Sequence, residues 1–246
     1  ETIIVSKKAM SLTIDIESKV YDSQLILLNG VYCNDELVSQ QIYSVEYYND
    51  GSLTVQPEGV GNYTIKIVET DSKNYQFSNN SKDFVISSRE VTIEPIEREY
   101  QYTRSVIKPE LQLLNIVEGD NIKLSYTYVE NEDGFKEVGT YTITINGLTG
   151  ADSGNYTLVA DNEISYDIVA VPIKVEVTNT SFTFTNKQLT KEQLELVFTG
   201  DLDVIESDYT ISSLPTNVGT YQITFSGNNS GVDFDISSFE VVMSRA

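Results

Sequence analysis

The chain has no histidine and no tryptophan, and its one cysteine is Cys33. Histidine is the usual general base of hydrolases and the commonest metal ligand, so its absence excludes Ser-His-Asp and Cys-His catalytic sites. One cysteine cannot form an intramolecular disulfide, so the fold has to be held together by packing. We interpret Cys33 as a small apolar residue in a strand rather than a reactive thiol.

Basic residues are also scarce. The chain has 16 lysines and arginines and 37 acidic residues, which gives a net charge of −21 at pH 7. Nucleic acid and anionic membrane surfaces would be repelled, so we expect neither as a partner. No apolar run approaches the roughly 18 residues of a membrane helix, and the first residues show no signal-peptide pattern. We therefore expect a monomeric fragment of a longer protein, with any signal and anchor outside it and no insertion into the membrane.

One stretch of sequence is present three times, as Val60–Ile67, Val138–Ile145 and Val218–Phe225. In each copy a valine and a glycine precede aromatic and aliphatic residues that alternate mostly with polar ones. This is the period of a strand with one buried and one solvent-exposed face. The copies lie about eighty residues apart, so each is predicted to be the core strand of a module of that length.

The tyrosines Tyr63, Tyr141 and Tyr221 recur at the same position of this strand. A recurring aromatic residue favours core packing or a structural corner hydrogen bond over ligand contact. We therefore predict that aspartate at Gly139 or Tyr141 unfolds the second module, because it would place a charge on the core face or in the tight approach to it.

Short runs rich in valine, isoleucine, leucine and tyrosine fill the rest of the chain, separated by turn sequences every 8 to 12 residues, the pattern of a β-sandwich. We predict an all-β protein of three tandem Ig-like β-sandwich modules at 8–88, 89–171 and 172–246. Residues 1–7 would be a remnant strand or linker of an upstream module. Because the joints are short, the array should be stiff and elongated. The alternative is a β-grasp-like module with one short helix, for which Thr190–Leu196 is the candidate.

The sequence Lys19-Val20-Tyr21-Asp22-Ser23 resembles the Lys-Val-Tyr-Asp-Gly signature of the MBG/YDG-type repeats of large bacterial surface proteins. The Val-Gly-Thr-Tyr-Thr-Ile stretch from Val138 is similar to the same repeats. Ser23 replaces the motif glycine, Glu99-Tyr100-Gln101 keeps only the tyrosine, and Phe182-Thr183-Phe184 lacks it. The resemblance implies extracellular spacer or adhesin modules at the cell surface, and it carries no catalytic residues.

Several acidic residues are candidates for calcium. Asp152, Asn155, Asp201 and Asp203 offer oxygen ligands, and calcium could stiffen the joints of an acidic extracellular protein. Their spacing is not that of an EF-hand, and the same residues are typical of turns and solvated faces. The favoured interpretation is that the chain has no cofactor.

Four further tyrosines are candidates for a contact surface, because exposed tyrosine stacks on sugars and anchors protein partners. They are Tyr47, Tyr48, Tyr100 and Tyr102. Such a surface would bind a host or matrix glycan or protein. A glycosidase would instead need two carboxylates across a cleft, and nothing in the sequence pairs them. The sequence therefore predicts a non-catalytic spacer or stalk that projects or contributes to adhesion. The alternative is an array of carbohydrate-binding modules attached to an extracellular polysaccharide-degrading enzyme, which an exposed row of aromatics would favour.

Overall fold

The computed structural model describes residues 5–130 and 132–245, and in this part of the chain the protein is all-β. It contains strands and four 3-10 turns, at Gln40–Ile42, Ser153–Asn155, Glu192–Leu194 and Glu206–Asp208. Within these residues no helix is long and apolar enough to cross a membrane. Of the predicted remnant strand at 1–7, residues 1–4 lie outside the described residues, and Val5, Ser6 and Lys7 are not in a strand.

The strands fall into three consecutive groups. Those of the first group are β1 (Lys8–Ser11), β2 (Thr13–Ile16), β3 (Lys19–Val20), β4 (Leu28–Cys33), β5 (Glu36–Leu37), β6 (Tyr43–Asn49), β7 (Ser52–Thr54), β8 (Gly61–Glu69), β9 (Tyr75–Ser78) and β10 (Ser81–Ser87). Those of the second are β11 (Arg89–Ile93), β12 (Glu99–Gln101), β13 (Leu113–Leu114), β14 (Lys123–Tyr128), β15 (Gly139–Thr149), β16 (Tyr156–Leu158) and β17 (Glu163–Val169). Those of the third are β18 (Val171–Val177), β19 (Ser181–Thr183), β20 (Leu196–Thr199), β21 (Tyr209–Ile211), β22 (Gly219–Gly227), β23 (Val232–Phe234) and β24 (Ser238–Ser244).

All described sheets are formed within one of these groups. By density of contacts, however, the chain divides into two compact units. Unit 1 comprises residues up to 94 together with 111–125 and 146–161, and unit 2 comprises 95–110, 126–145 and the residues from 162 onward. The middle group of strands is thus divided between the two units, a division that the sequence repeat does not predict.

Unit 1 contains a β-sandwich. Its larger sheet has the order β3-β10-β8-β6-β7, with β3 parallel to β10 and the other neighbours antiparallel. The facing layer consists of β2-β4-β5 and of β1 paired in parallel with β9. Alternate residues of both layers form one hydrophobic core, for example Ile16 and Val31 from one layer and Ile65, Ile67 and Ile86 from the other. This alternation in β8 is the one predicted from the repeated stretch.

The same order of strands recurs in the second and third groups. The sheets β12-β17-β15-β14 and β19-β24-β22-β21 each begin with a short edge strand that runs parallel to its neighbour. The sheet β20-β18-β23 faces the second of them, and Leu194, Ile223 and Val241 are buried in the core between the layers. The all-β sandwich prediction is therefore confirmed for the described residues.

The recurring tyrosine of the repeated strand forms a corner in all three copies. Each hydroxyl donates to the carbonyl four residues earlier: Tyr63 to Gly59 at 3.0 Å, Tyr141 to Glu137 at 2.7 Å, and Tyr221 to Asn217 at 3.1 Å. Such tyrosine corners are characteristic of Ig-like sandwiches. The predicted structural role of these tyrosines is confirmed.

The expectation for Gly139 is wrong. Gly139 is exposed, and a Cβ built on it meets nothing within 4 Å. At the equivalent Gly61, by contrast, a Cβ would lie 2.9 Å from the Tyr63 ring. The tight approach of ring and backbone therefore exists in the first copy of the motif and not in the second.

We predict that alanine at these two glycines has different effects on the free energy of unfolding. Gly61→Ala should destabilise unit 1 by about 1–3 kcal/mol, because the Tyr63 ring is fixed by its corner hydrogen bond and cannot yield freely. Gly139→Ala should change stability by no more than about 0.5 kcal/mol. Urea denaturation of the two variants measures both values, and equal effects would contradict the packing described here.

The helical candidate Thr190–Leu196 is also wrong. Only Glu192–Leu194 form a turn, and it is a 3-10 turn. Glu195 adopts the left-handed conformation with φ 49°, which ends the turn before a second can form, and β20 begins at Leu196. In the described residues the β-grasp alternative therefore lacks its helix.

Candidate functional site at the module joints

The residue that follows the short edge strand, β3, β12 or β19, is structurally equivalent in the three groups of strands. These residues are Tyr21, Tyr102 and Phe184, and each donates its backbone N–H to the last residue of the neighbouring strand, at 2.9, 2.9 and 2.8 Å. Two positions later the backbone is left-handed, with φ of 60° at Ser23, 61° at Arg104 and 60° at Asn186. These positions correspond to the motif glycine of the repeats that the sequence resembles.

This register corrects the sequence comparison, which aligned Tyr100 with Tyr21. Tyr102 is the structural equivalent of Tyr21, and Phe184 is the equivalent in the third group. Tyr21 and Tyr102 each project into the next group of strands. We call the contacts of Tyr21 joint 1, which lies within unit 1, and the contacts of Tyr102 joint 2, which lies within unit 2.

Joint 1 is built around one carboxylate. Asp120 Oδ2 accepts hydrogen bonds from the hydroxyls of Tyr21 at 2.9 Å and Tyr156 at 2.6 Å. The two rings meet edge to face with centroids 5.5 Å apart. Tyr21 is 3% and Tyr156 7% exposed, and both belong to the same hydrophobic core. Because charge-assisted hydrogen bonds are stronger than neutral ones, this carboxylate fixes the two aromatic side chains relative to each other.

A second contact of joint 1 involves Asn155. Its Oδ1 accepts a hydrogen bond from the backbone N–H of Val60 at 3.0 Å. Val60 is the valine that precedes the glycine of the repeated stretch. Ser88 and Thr157 add a hydroxyl contact of 2.6 Å between the two groups of strands. Joint 1 therefore combines a continuous apolar core with directional polar contacts.

We predict that joint 1 weakens at alkaline pH. Burial, together with the hydrogen bond to Asp120, raises the pKa of Tyr156 to about 12. An unfolded tyrosine titrates near 10, so the stabilisation is fully present below about pH 10 and is lost as the pH rises toward 12. Urea midpoints measured across this range should fall less steeply in Tyr156→Phe, which lacks the titrating hydroxyl. An identical pH profile in the variant would contradict the assignment.

Joint 2 is built around Asp208, a charged side chain that is only 1% exposed. Arg104 Nη2 donates to its Oδ2 at 2.5 Å, and the backbone N–H of Ile205 donates to the same oxygen at 2.9 Å. Asn229 Nδ2 donates to the other oxygen at 3.1 Å. A buried carboxylate needs such partners, because an unpaired one would carry a large desolvation cost.

The ring of Tyr102 completes joint 2 by lying against the backbone of Gly231. Tyr102 is 6% exposed, and its hydroxyl accepts a hydrogen bond from Asn229 Nδ2 at 3.3 Å. A Cβ at Gly231 would lie 2.2 Å from the ring. The first residue of β11, Arg89, pairs with Tyr156, and the first residue of β18, Val171, pairs with Val232. Gly231, which precedes Val232, is therefore equivalent to Asn155, which precedes Tyr156. The Tyr102 ring therefore occupies the space that a side chain at position 231 would fill.

The structure does not assemble the four predicted contact tyrosines into an exposed surface. Tyr47 is 8% exposed and packs edge to face on Phe84, and Tyr102 is buried in joint 2. Tyr48 is half-buried and donates to Glu46 at 2.7 Å. Tyr100 is half-buried against Tyr166. Strand alternation places Tyr47 and Tyr48 on opposite faces, so the pair could not have formed one surface.

The calcium candidates are separated in the same way. Asp152 Oδ2 accepts the backbone N–H of Asn121 at 2.7 Å, and Asn155 is engaged in joint 1. Asp201 and Asp203 are exposed. Within residues 5–130 and 132–245 no group of three acidic or cysteine side chains is placed to hold a metal ion.

Sequence reasoning missed Asp120, Arg104 and Asp208. The signal that could have found Arg104 is its place in the motif, two residues after the aromatic residue. The two aspartates carry no comparable signal. Asp120 lies in a loop and Asp208 ends a 3-10 turn, and the side chains that reach them across the joints, Tyr21 and Arg104, are distant in sequence.

No family model and no curated protein matches the chain. Among solved structures it is similar to SGBP-B of the Bacteroides ovatus mixed-linkage glucan utilization locus, solved in complex with a mixed-linkage heptasaccharide, with 14% identity over 99% of this chain and 69% of that chain and a TM-score of 0.23. It is also similar to EC1-3 of Drosophila N-cadherin, with 9% identity over 94% of this chain and 98% of that chain and a TM-score of 0.29. Both are distant likenesses, from which we draw no functional argument.

Proposed function

We propose that the chain is a non-catalytic spacer segment of an extracellular bacterial surface protein. The observation that carries this proposal is that two aspartates form hydrogen bonds between consecutive groups of strands at the joints. Asp208, the most buried charged side chain of the described residues, holds one group of strands to the next, and Asp120 does the same in joint 1. A spacer needs joints that resist bending, and buried polar contacts with defined geometry provide that resistance.

The resemblance to MBG/YDG-type repeats supports the same proposal. The left-handed backbone at Ser23, Arg104 and Asn186 preserves the turn that a motif glycine would form, although the glycine itself is missing from all three copies. The net charge of −21 suits a solvated segment that does not associate with anionic surfaces.

Carbohydrate binding is the competing function, and a binding assay separates the two. The purified protein is tested against polysaccharides, mucins and matrix proteins, with and without calcium. We expect no saturable binding at high micromolar concentration, because the candidate tyrosines are buried or half-buried. Saturable binding that is lost in Tyr48→Ala or Tyr100→Ala would instead establish a contact surface and overturn the spacer proposal.

A further inference from the structure

A polar cleft lies at joint 1, and all of its lining residues belong to unit 1. Its volume is about 660 Å³, which is within the usual range of sites for small ligands. We call it the joint cleft, because two groups of strands line it. The first group and the linker after it contribute Val20, Ser87 and Ser88, and the second group contributes Arg89, Glu90 and Thr157.

The cation of the joint cleft, Arg89, is held in place by neutral groups. Its Nε donates to the backbone carbonyl of Asn115 at 2.8 Å, and its Nη2 donates to Asn115 Oδ1 at 2.6 Å. Asn115, which also lines the cleft, is itself fixed, because its Nδ2 donates to the backbone carbonyl of Glu90 at 2.7 Å. The guanidinium is therefore oriented before any ligand arrives.

Arg89 keeps the part of its guanidinium that recognises carboxylates. Two of its five N–H groups donate to Asn115, so both Nη atoms retain N–H groups for a further acceptor. In residues 5–130 and 132–245 no carboxylate forms an ion pair with Arg89, although the chain has 37 acidic residues. An oriented guanidinium of this kind is the fork that binds a carboxylate through two parallel hydrogen bonds.

The other groups of the joint cleft match the hydroxyls and the ring of a sugar. The hydroxyls of Ser88 and Thr157 share one hydrogen bond of 2.6 Å, so one of them keeps its hydrogen for a ligand. The exposed carboxylate of Glu90 accepts hydrogen bonds from hydroxyls and repels a bare anion. Val20 is 54% exposed and offers an apolar surface to the C–H face of a sugar ring.

We propose that the joint cleft binds an acidic sugar, with the sugar carboxylate on Arg89 and the sugar hydroxyls on Glu90 and the Ser88–Thr157 pair. The net charge of −21 disfavours a polyanion, so the ligand is a single acidic residue of an otherwise neutral glycan.

Binding at the joint cleft is expected to be weak. It depends on one guanidinium–carboxylate pair in a cleft that is open to water, so we expect a dissociation constant of about 1–10 mM. This is above the high micromolar concentrations of the binding assay that separates spacer from carbohydrate-binding module. The inference is therefore independent of the spacer proposal.

Nuclear magnetic resonance titration of the 246-residue chain tests the inference. The probe is glucuronate, and the two controls are glucose, which lacks the carboxylate, and acetate, which lacks the ring. We expect glucuronate to shift the Arg89 Nε–H resonance and the backbone amides of Ser88 and Thr157, with an affinity about five-fold or more above that of either control. No shift at these residues, or equal affinity for glucuronate and acetate, would overturn the acidic-sugar site.

Two substitutions make the result specific. Arg89→Lys keeps the charge and loses the planar fork, so the affinity for glucuronate should fall about ten-fold. Asn115→Asp keeps Arg89 and gives it an internal carboxylate, so the affinity should fall by at least as much. Arg98→Lys is the matched control, since Arg98 Nη1 donates to the backbone carbonyl of Ser165 at 2.9 Å outside the cleft, and it should leave the affinity unchanged.

The amide spectrum of each variant shows whether it is folded. Because Arg89 and Asn115 also hold β11 to the loop before β14, a variant that unfolds is set aside, and the comparison of the three probes on the unmodified chain decides. Unchanged glucuronate affinity in a folded Arg89→Lys or Asn115→Asp protein would overturn the site and leave the spacer proposal untouched.

Discussion

Replacing Asp208 with alanine is expected to destabilise unit 2 by about 3–5 kcal/mol. The substitution leaves the Arg104 guanidinium without its charge partner, and it leaves the side chain of Asn229 and the backbone N–H of Ile205 without their acceptor. The carboxylate is 1% exposed, so water cannot replace these contacts without opening the joint. Urea denaturation followed by tyrosine fluorescence measures the loss.

A double-mutant cycle with Arg104→Met isolates the ion pair from the other contacts of Asp208. We expect the two substitutions together to cost clearly less than the sum of their separate effects, because removing either partner already breaks the pair. Glu206→Gln is the matched control, since it removes the exposed side of the Lys191–Glu206 pair, leaves Lys191 over the Tyr209 ring and should cost little. Additive effects at Arg104 and Asp208 would contradict the assignment of joint 2.

Replacing Tyr141 with aspartate is expected to abolish the folded structure around it, with a cost of at least about 4 kcal/mol. Tyr141 is 2% exposed, stacks on Tyr166 with centroids 5.6 Å apart, and contacts Phe135. Aspartate would remove these contacts and place a charge in the core. Near-ultraviolet circular dichroism and thermal melting report the outcome.

Tyr141→Phe is the control for that variant. It keeps the ring and loses only the hydroxyl, whose one hydrogen is shared between Glu137 O at 2.7 Å and Asp133 Oδ2 at 2.9 Å, so we expect a cost of about 1 kcal/mol. A folded Tyr141→Asp protein with native melting behaviour would show that the strand does not face the core as described.

The parts of the fold that depend on local pattern could be predicted from the sequence. Alternation in the repeated stretch located the core strand, and recurrence of Tyr63, Tyr141 and Tyr221 indicated a structural role, either core packing or a corner hydrogen bond. Both features follow from the two-residue period of a strand and from repetition, which are visible without the structure. The expectation for Gly139 failed because the glycine recurs in the second copy, whereas the close approach of the tyrosine ring seen at Gly61 does not recur there.

The joints could not be predicted, because they depend on contacts between residues that are distant in sequence. Asp120 lies in a loop and meets Tyr21 across a boundary between groups of strands, and Asp208 meets Arg104 in the same way. An acidic residue in a loop is usually solvated, and no local pattern separates these two from the other acidic residues of the chain. The same lack of long-range information allowed the buried Tyr47 and Tyr102 to be taken for surface residues.

Small-angle X-ray scattering of the 246-residue chain in dilute solution tests the spacer proposal most directly. Three sandwiches joined end to end, each about 35 Å long, would have a radius of gyration of about 30 Å. A single compact domain of this length would have a radius of gyration of about 18 Å. A spacer requires the larger value, and the Asp208→Ala variant should then show a broader distribution of distances as joint 2 loosens. A value near 18 Å for the unmodified protein would contradict the proposal.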